Sequence, residues 1–310
     1  METDTKRPPT PLTQLSNSLA DAADRSGRSI VAVHGRDRYP ASGVHWRPSL
    51  IVAANHALER DEEIFVSVAS GAHSAAQLVG RDPTTDLAVL KVANLQIPHA
   101  DFADLDSLRV GHLVLAIAAG EVGTSASLGV LSALGAGWTT WRGGHIDRFI
   151  RADVDLYPGF SGGALVNAEG EVIGINTSGL SRRFDLTVSA TTVNRVLDQL
   201  LDRGHVTRGY LGLGMQPIRL PETLVGSLKL PTNTGIIVVS VEPDQAADKS
   251  GVLIGDVVVA LDGSAIEDPE DILSLLGADR IGKQLQARVI RAGALKDLEI
   301  VIGERAAESE

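Results

Sequence analysis

Cysteine is absent from the chain. Its absence excludes disulfides, thiolate nucleophiles and Cys-ligated zinc, while leaving the redox compartment open. Long apolar runs are missing as well, since no stretch approaches the roughly 18–20 residues that span a bilayer as a helix. The opening segment, METDTKRPPTPLTQLSNSLADAADRSGRS, has mixed charge and no apolar centre, unlike a secretory leader. As it reads, the chain is expected in the cytoplasm, with the periplasm as the alternative if a leader has been omitted. Cations are scarce: Lys plus Arg number 28 against 39 Asp plus Glu, a formal charge of −11. Binding to nucleic acid needs clustered cations, as does adhesion to anionic lipid, so neither partner is expected. Nor do the eight histidines show HExxH-like spacing. No metal and no cofactor is therefore expected.

What is present fits a folded protein. Hydrophobic residues make up 44% and charged residues 22% of 310, which suits about two globular domains. Residues 1–28 read as an extension: three prolines, then Leu12, Leu15, Leu19 and Ala22 at helical spacing. From Ser29 onward, short apolar stretches (SIVAVHG, SLIVAANH, IFVSVA, DLAVLKV, LVLAIAA, LGVLSAL, EVIGIN) alternate with Gly, Pro, Asp and Ser clusters. That rhythm suits an all-β barrel or sandwich over residues 29–204. It closes on a helix whose stripe is Val193, Val196, Leu197, Leu200 and Leu201, with Thr191 or Thr192 as the expected N-cap and Gly204 at its end. HVTRGY reads as a linker. Residues 205–303 mix strands with two short helical stretches, near Asp244–Ser250 and Pro269–Leu276, and form a compact α+β module. Residues 304–310 are a charged tail.

The strongest chemical signal is Gly159-Phe160-Ser161-Gly162-Gly163-Ala164-Leu165. A serine hydroxyl becomes a useful nucleophile only when a base takes its proton. Flanking glycines let the backbone turn tightly and aim N–H groups at one point, as an oxyanion hole requires. The candidate base is His56, closing the apolar run Ser49–Asn55, and the candidate orienting acid is Asp86 in Asp82-Pro83-Thr84-Thr85-Asp86. Each residue alone has a bland structural explanation. Together they stand in the order His, Asp, Ser used on chymotrypsin-type double barrels, whereas an α/β-hydrolase esterase would run Ser, Asp, His.

Asn55-His56-Ala57, the DPTTDLAVLKV run and PGFSGGALVNAEGEVIGINTSG together resemble the HtrA/Deg family of serine proteases. The likeness runs from about Ser29 to Ile302. It implies a mostly β chain, a chymotrypsin-like double β-barrel followed by an α+β PDZ domain. It further implies an endopeptidase that cleaves unfolded or damaged proteins. By the same resemblance His56 is the general base, Asp86 the orienting acid and Ser161 the nucleophile, with the N–H groups of Gly159 and Ser161 as oxyanion hole. Asn176, Thr177 and Ser178 would form the edge that pairs with substrate. Asp155, six residues before the serine, would sit at the base of the specificity pocket, favouring basic side chains unless Arg148 or Arg151 pairs with it. Tyr210, Leu211, Gly212 and Leu213 resemble a PDZ carboxylate-binding loop, where successive N–H groups form a nest for a peptide C-terminus and the next strand accepts an extended chain. The helix bearing Ile272, Leu273, Leu275 and Leu276 would wall that groove. A homo-oligomer, in many relatives a trimer joined by aromatics near the N-terminus, is also implied.

The chain departs from the family pattern at three places. Phe160 stands where Asn or Asp is usual, Ala118–Gly123 replaces a Gly-Asn-Pro-x-Gly stretch, and the first aromatic is Tyr39. The competing expectation is a peptide-binding scaffold or chaperone whose triad is misaligned, with Phe160 as the cause.

Overall fold

The computed structural model describes residues 10–304 apart from 38, 70, 121–122, 182 and 278–279. The start of the expected N-terminal extension and the tail from residue 305 lie outside the described residues. The chain divides into two compact units, one of residues 1–138 and 146–206, the other of residues 139–145 and 207–310.

The first unit opens with helix α1 (Pro11–Gly27), started by Thr10, whose hydroxyl accepts the Thr13 N–H at 3.2 Å, and by Pro11 in its first turn. The expected stripe is buried only in part. Leu19 and Ala22 join the core, but Leu12 and Leu15 are 77% and 43% exposed, because the helix docks through its C-terminal half.

Six strands follow: β1 (Ile30–His34), β2 (Ala41–Arg47), β3 (Leu50–Ala54), β4 (Ile64–Ser67), β5 (His73–Asp82) and β6 (Leu87–Val92). They close into a barrel in the order β1-β2-β3-β6-β5-β4. Val31, Val33, Ile51, Ala53, Ile64, Ala88 and Leu90 fill its interior. The alternate residues Val44, Trp46, Val52, Leu87 and Val89 face a second core shared with the other barrel. Burial on both faces explains why β3 and β6 read as unbroken apolar runs rather than as alternation.

The second barrel is built from β7 (Leu113–Gly120), β8 (Gly123–Gly135), β11 (Phe149–Asp153), β12 (Ala164–Val166), β13 (Val172–Thr177) and β14 (Leu186–Ser189). Its order is β11-β8-β7-β12-β13-β14, with the end strands side by side, and β9 (Trp138–Thr139) and β10 (His145–Ile146) form a two-stranded sheet of their own. Helix α2 (Ala190–Arg203) is capped by Ser189, whose Oγ accepts the Thr192 N–H at 3.3 Å. The cap therefore precedes both threonines expected in that role, since Ser189 ends β14 with extended geometry and the threonines are already helical. This helix reaches back to the first barrel. Trp46 Nε1 donates to Asn194 Oδ1 at 2.9 Å and Arg47 pairs with Asp198 at 2.6 Å, fixing the barrels against each other and with them the cleft between.

The second unit holds β15 (Gly209–Tyr210), β16 (Leu213–Arg219), β17 (Thr234–Val241), β18 (Val257–Leu261), β19 (Ser264–Ala265), β20 (Gln284–Arg291), β21 (Ala294–Val301) and β22 (Gly303–Glu304). Its main sheet runs β16-β17-β18-β20-β21, leaving β16 as an edge, while β15 pairs with β22. The end of the expected linker is thus strand. Among the described residues three helices appear where two were expected: α3 (Glu222–Leu228), α4 (Ala246–Lys249) and α5 (Pro269–Ser274). Gly226 inside α3 and Pro221 before it hide the helical signal. Asp256 is buried, yet burial's upward push on its carboxyl is outweighed by Arg291 and the Leu253 N–H, which hold it below the usual carboxylate range.

Candidate active site

His56 sits on a one-turn helix, Asn55–Ala57, at the end of β3. Asp86 ends the β5–β6 turn, where Asp82 gathers the Thr84 N–H (3.1 Å) and the hydroxyls of Thr84 (2.8 Å) and Thr85 (2.7 Å). Asp86 adopts φ 58°, a left-handed geometry that Asp tolerates better than most residues. The Asn55 N–H donates to Asp86 O at 3.0 Å, joining the two segments. The result is a two-point match: Asp86 Oδ2 lies 2.6 Å from His56 Nδ1, and Oδ1 accepts the His56 backbone N–H at 2.8 Å. An ionised carboxylate only accepts, so Nδ1 carries the proton and Nε2 presents its lone pair outward.

Two further residues hold this pair. Thr177, buried on β13, donates its hydroxyl to Asp86 Oδ2. Gly179 packs against both partners, and a Cβ there would stand 2.7 Å from Asp86 Oδ2 and 2.7 Å from His56 Nδ1. Arg81 braces the His56 turn from behind, bonding Asn55 Oδ1 at 3.3 Å and Leu58 O at 3.1 Å. The sequence reading assigned Thr177 to the substrate edge and missed Arg81 altogether.

Ser161 comes from the second barrel, just before β12. The preceding residues Tyr157–Phe160 form a turn closed by Phe160 N–H to Tyr157 O at 3.0 Å, with Gly159 at φ +95°. A proline second and a positive-φ glycine third define a type II turn, whose central peptide is flipped relative to type I. The flip turns the Gly159 N–H outward, and among the described residues neither it nor the Ser161 N–H meets an acceptor. Phe160 is 5% exposed and lies in the second barrel's core with Leu131, Ile150, Leu165 and Ile173, while the Tyr157 ring meets it edge-on at 5.7 Å. An apolar anchor thus takes the place of a polar one.

The Ser161 hydroxyl bonds Ser178 Oγ at 3.2 Å, and Ser178 Oγ in turn stands 3.5 Å from His56 Nε2. Ser178 lies between nucleophile and base. Asn176 is buried, with its N–H on Gly163 O (2.8 Å), its C=O taking the Gly162 N–H (2.9 Å) and its side chain accepting from Thr187 (3.0 Å). Its backbone is spent inside the fold, so of the three residues expected at the substrate edge only Ser178 is exposed. A cleft of about 650 Å³ lined by His56, Ser161, Ser178, Leu156, Tyr157 and Arg36, among others, opens over the nucleophile. Asp155 is exposed and does not line that cleft. Among the described residues it pairs with neither Arg148, which holds Asp106 at 2.9 Å, nor Arg151. A buried carboxylate seeking a cationic substrate is therefore not what the geometry offers.

In the second unit, Leu211 is buried, and the Leu211 and Gly212 C=O groups accept from Ala247 (2.9 Å) and Glu242 (2.9 Å). The N–H groups of Leu211 and Gly212 donate to no acceptor among the described residues. Tyr210 donates its hydroxyl to Glu242 Oε1 at 2.5 Å. Leu213 begins the edge strand β16, beside α5, whose Ile272 is core. Leu275 and Leu276 also pack into that core.

Residues 41–175 match the family model of a trypsin-like peptidase domain, and residues 209–302 that of a PDZ domain. A protein named probable periplasmic serine endoprotease DegP-like from Pseudomonas fulva (strain 12-X) is 33% identical over 259 residues, covering 82% of this chain and 53% of its own length. Its namesake from Brucella suis biovar 1 (strain 1330) is 31% identical over 290 residues, 90% of this chain and 56% of its own. The chain spans about half the length of these curated relatives. Among solved structures, the HtrA-type protease AlgW with tripeptide is 31% identical at TM-score 0.69, covering 93% of this chain and 98% of that one. The serine endoprotease from Yersinia pestis is 27% identical at TM-score 0.69, covering 93% and 98%.

Proposed function

The chain belongs to the HtrA/Deg family of serine proteases, and from that premise we propose that it is a serine endopeptidase acting on unfolded or damaged polypeptides. The observation that carries the reading is the 2.6 Å contact of His56 with Asp86, facing a Ser161 loop with two unclaimed N–H groups. In this mechanism His56 Nε2 takes the Ser161 proton as Oγ attacks the peptide carbonyl. Asp86 stabilises the imidazolium, and the Gly159 and Ser161 N–H groups hold the oxyanion. His56 then returns the proton to the leaving amine, and water repeats the cycle on the acyl-enzyme.

The PDZ unit serves peptide capture or regulation, with Tyr210–Leu213 receiving a C-terminal carboxylate and β16 adding an extended peptide. Peptide ligands in the AlgW structures support this use. The periplasm is the compartment this reading favours, following the descriptions of the relatives.

One observation favours the scaffold reading: Ser161 bonds Ser178 and not His56. Substrate-free proteases commonly show loose catalytic hydrogen bonds that tighten on binding, which favours the enzyme. The test is hydrolysis of an unfolded protein such as casein. The chain is expected to cleave it, and Ser161→Ala to lose on the order of 10⁴ or more in rate while melting at the same temperature. Equal rates in both proteins would refute the assignment.

A further inference from the structure

Phe160 brings no polar side chain to the nucleophile loop, so the loop's backbone groups must find partners elsewhere. We propose that Ser42 is the positioning residue that sets the oxyanion loop. The inference rests on the protease reading above and adds the residue that holds its anion site.

Ser42 is fully buried on β2, far in sequence from the loop. Its Oγ accepts the Ala119 N–H of β7 at 2.9 Å and donates to Gly159 O at 2.7 Å, while its own N–H donates to Ser161 O at 3.1 Å. A hydroxyl has one proton, and here it goes to Gly159 O, which can only accept, while the Ala119 N–H, which can only donate, takes a lone pair of the same oxygen. Two further carbonyls of the loop are held: Tyr157 O takes the Phe160 N–H (3.0 Å) and Phe160 O the Gly163 N–H (3.0 Å).

Every peptide plane from 159 to 161 is thereby pinned through its oxygen, two of them by Ser42. The Gly159 N–H belongs to the preceding peptide, that of Pro158, and Ser42 acts on it only through the next plane: turning the Gly159–Phe160 peptide would break the Ser42 hydroxyl bond and bury an unpaired carbonyl. What stays unclaimed is the pair of N–H groups that the mechanism needs. Ser42 touches neither substrate nor reacting atoms; it acts through the backbone of Gly159 and Ser161.

The experiment compares the chain with Ser42→Ala by steady-state peptide hydrolysis and by the labelling rate of a fluorophosphonate probe, with rates expressed per labelled site. Loss of one direct oxyanion donor costs about 10²–10³ in kcat, so an indirect holder is expected to cost about 10–100-fold. KM should change little, labelling should slow by a similar factor, and the acid limb of the pH–kcat/KM profile should not move, since His56 and Asp86 are untouched. A merely structural residue would lower Tm and the labelled fraction but leave the rate per site unchanged, and that result would overturn the inference. Should Ser42→Ala melt below the assay temperature, Ser42→Cys keeps the shape with a weak donor, and wild-type kinetics there would overturn it equally. Failure of the unsubstituted chain to label removes the protease reading and this inference with it. Normal labelling of the chain with unaltered variant kinetics removes this inference alone.

Discussion

Ser178 is the residue on which the resting site turns. Its hydroxyl stands 3.2 Å from Ser161 Oγ and 3.5 Å from His56 Nε2, the longer contact being at the limit of a hydrogen bond. We propose that it is a placeholder that substrate displaces, leaving Ser161 free to meet His56. Ser178→Ala should therefore leave kcat/KM roughly unchanged or raise it. A fall of about 10² or more, the worth of a general acid–base group, would instead make Ser178 a proton relay. The candidates His56, Asp86 and Ser161 were legible in the sequence through their order and the motifs that resemble a known family, since each alone has a bland explanation. Ser42, Thr177 and Arg81 were not. Their partners lie in other strands, as with Ser42 and Gly159, 117 positions apart, and no local pattern announces such a bond. Asp155 misled for a related reason: its spacing from Ser161 is a sequence fact, but its exposure is decided by how the 154–157 segment leaves β11.

At the scale of elements, strands buried on both faces were legible as apolar runs, and α2 as a periodic stripe. The ten-residue strand β5 was not, since His73, Ser74 and Gln77 dilute its alternation and its burial is mostly partial. Helix α3 escaped for the reasons given above. In the second unit the proposed peptide-binding element is the edge strand β16 with the Tyr210–Leu213 turn before it. Unclaimed N–H groups at Leu211 and Gly212 suit a negative charge. A peptide with an apolar C-terminus should thus bind the full chain carrying Ser161→Ala, and amidating that peptide should weaken binding about tenfold or more, the value of a hydrogen bond to a charged group. Calorimetry with both peptides decides the matter; equal affinities would rule out carboxylate capture.

At the scale of the molecule, neither barrel holds the whole of the candidate site. His56 and Asp86 come from the first barrel, and Ser161 and Thr177 from the second. Ser42 and α2 tie the two together. The order His, Asp, Ser was enough to suggest the architecture from the sequence. The angle of the Gly159 peptide and the interposed Ser178 are tertiary outcomes, and on them depends whether the chain is a working protease or a scaffold. A fluorophosphonate reacts with a serine only when base and oxyanion donors act together, so the direct measurement is mass-spectrometric mapping of the labelled residue on the 310-residue chain. The account predicts one adduct, on Ser161, lost when His56 is replaced by alanine. An unlabelled chain, or labelling of Ser161 that persists without His56, would contradict it.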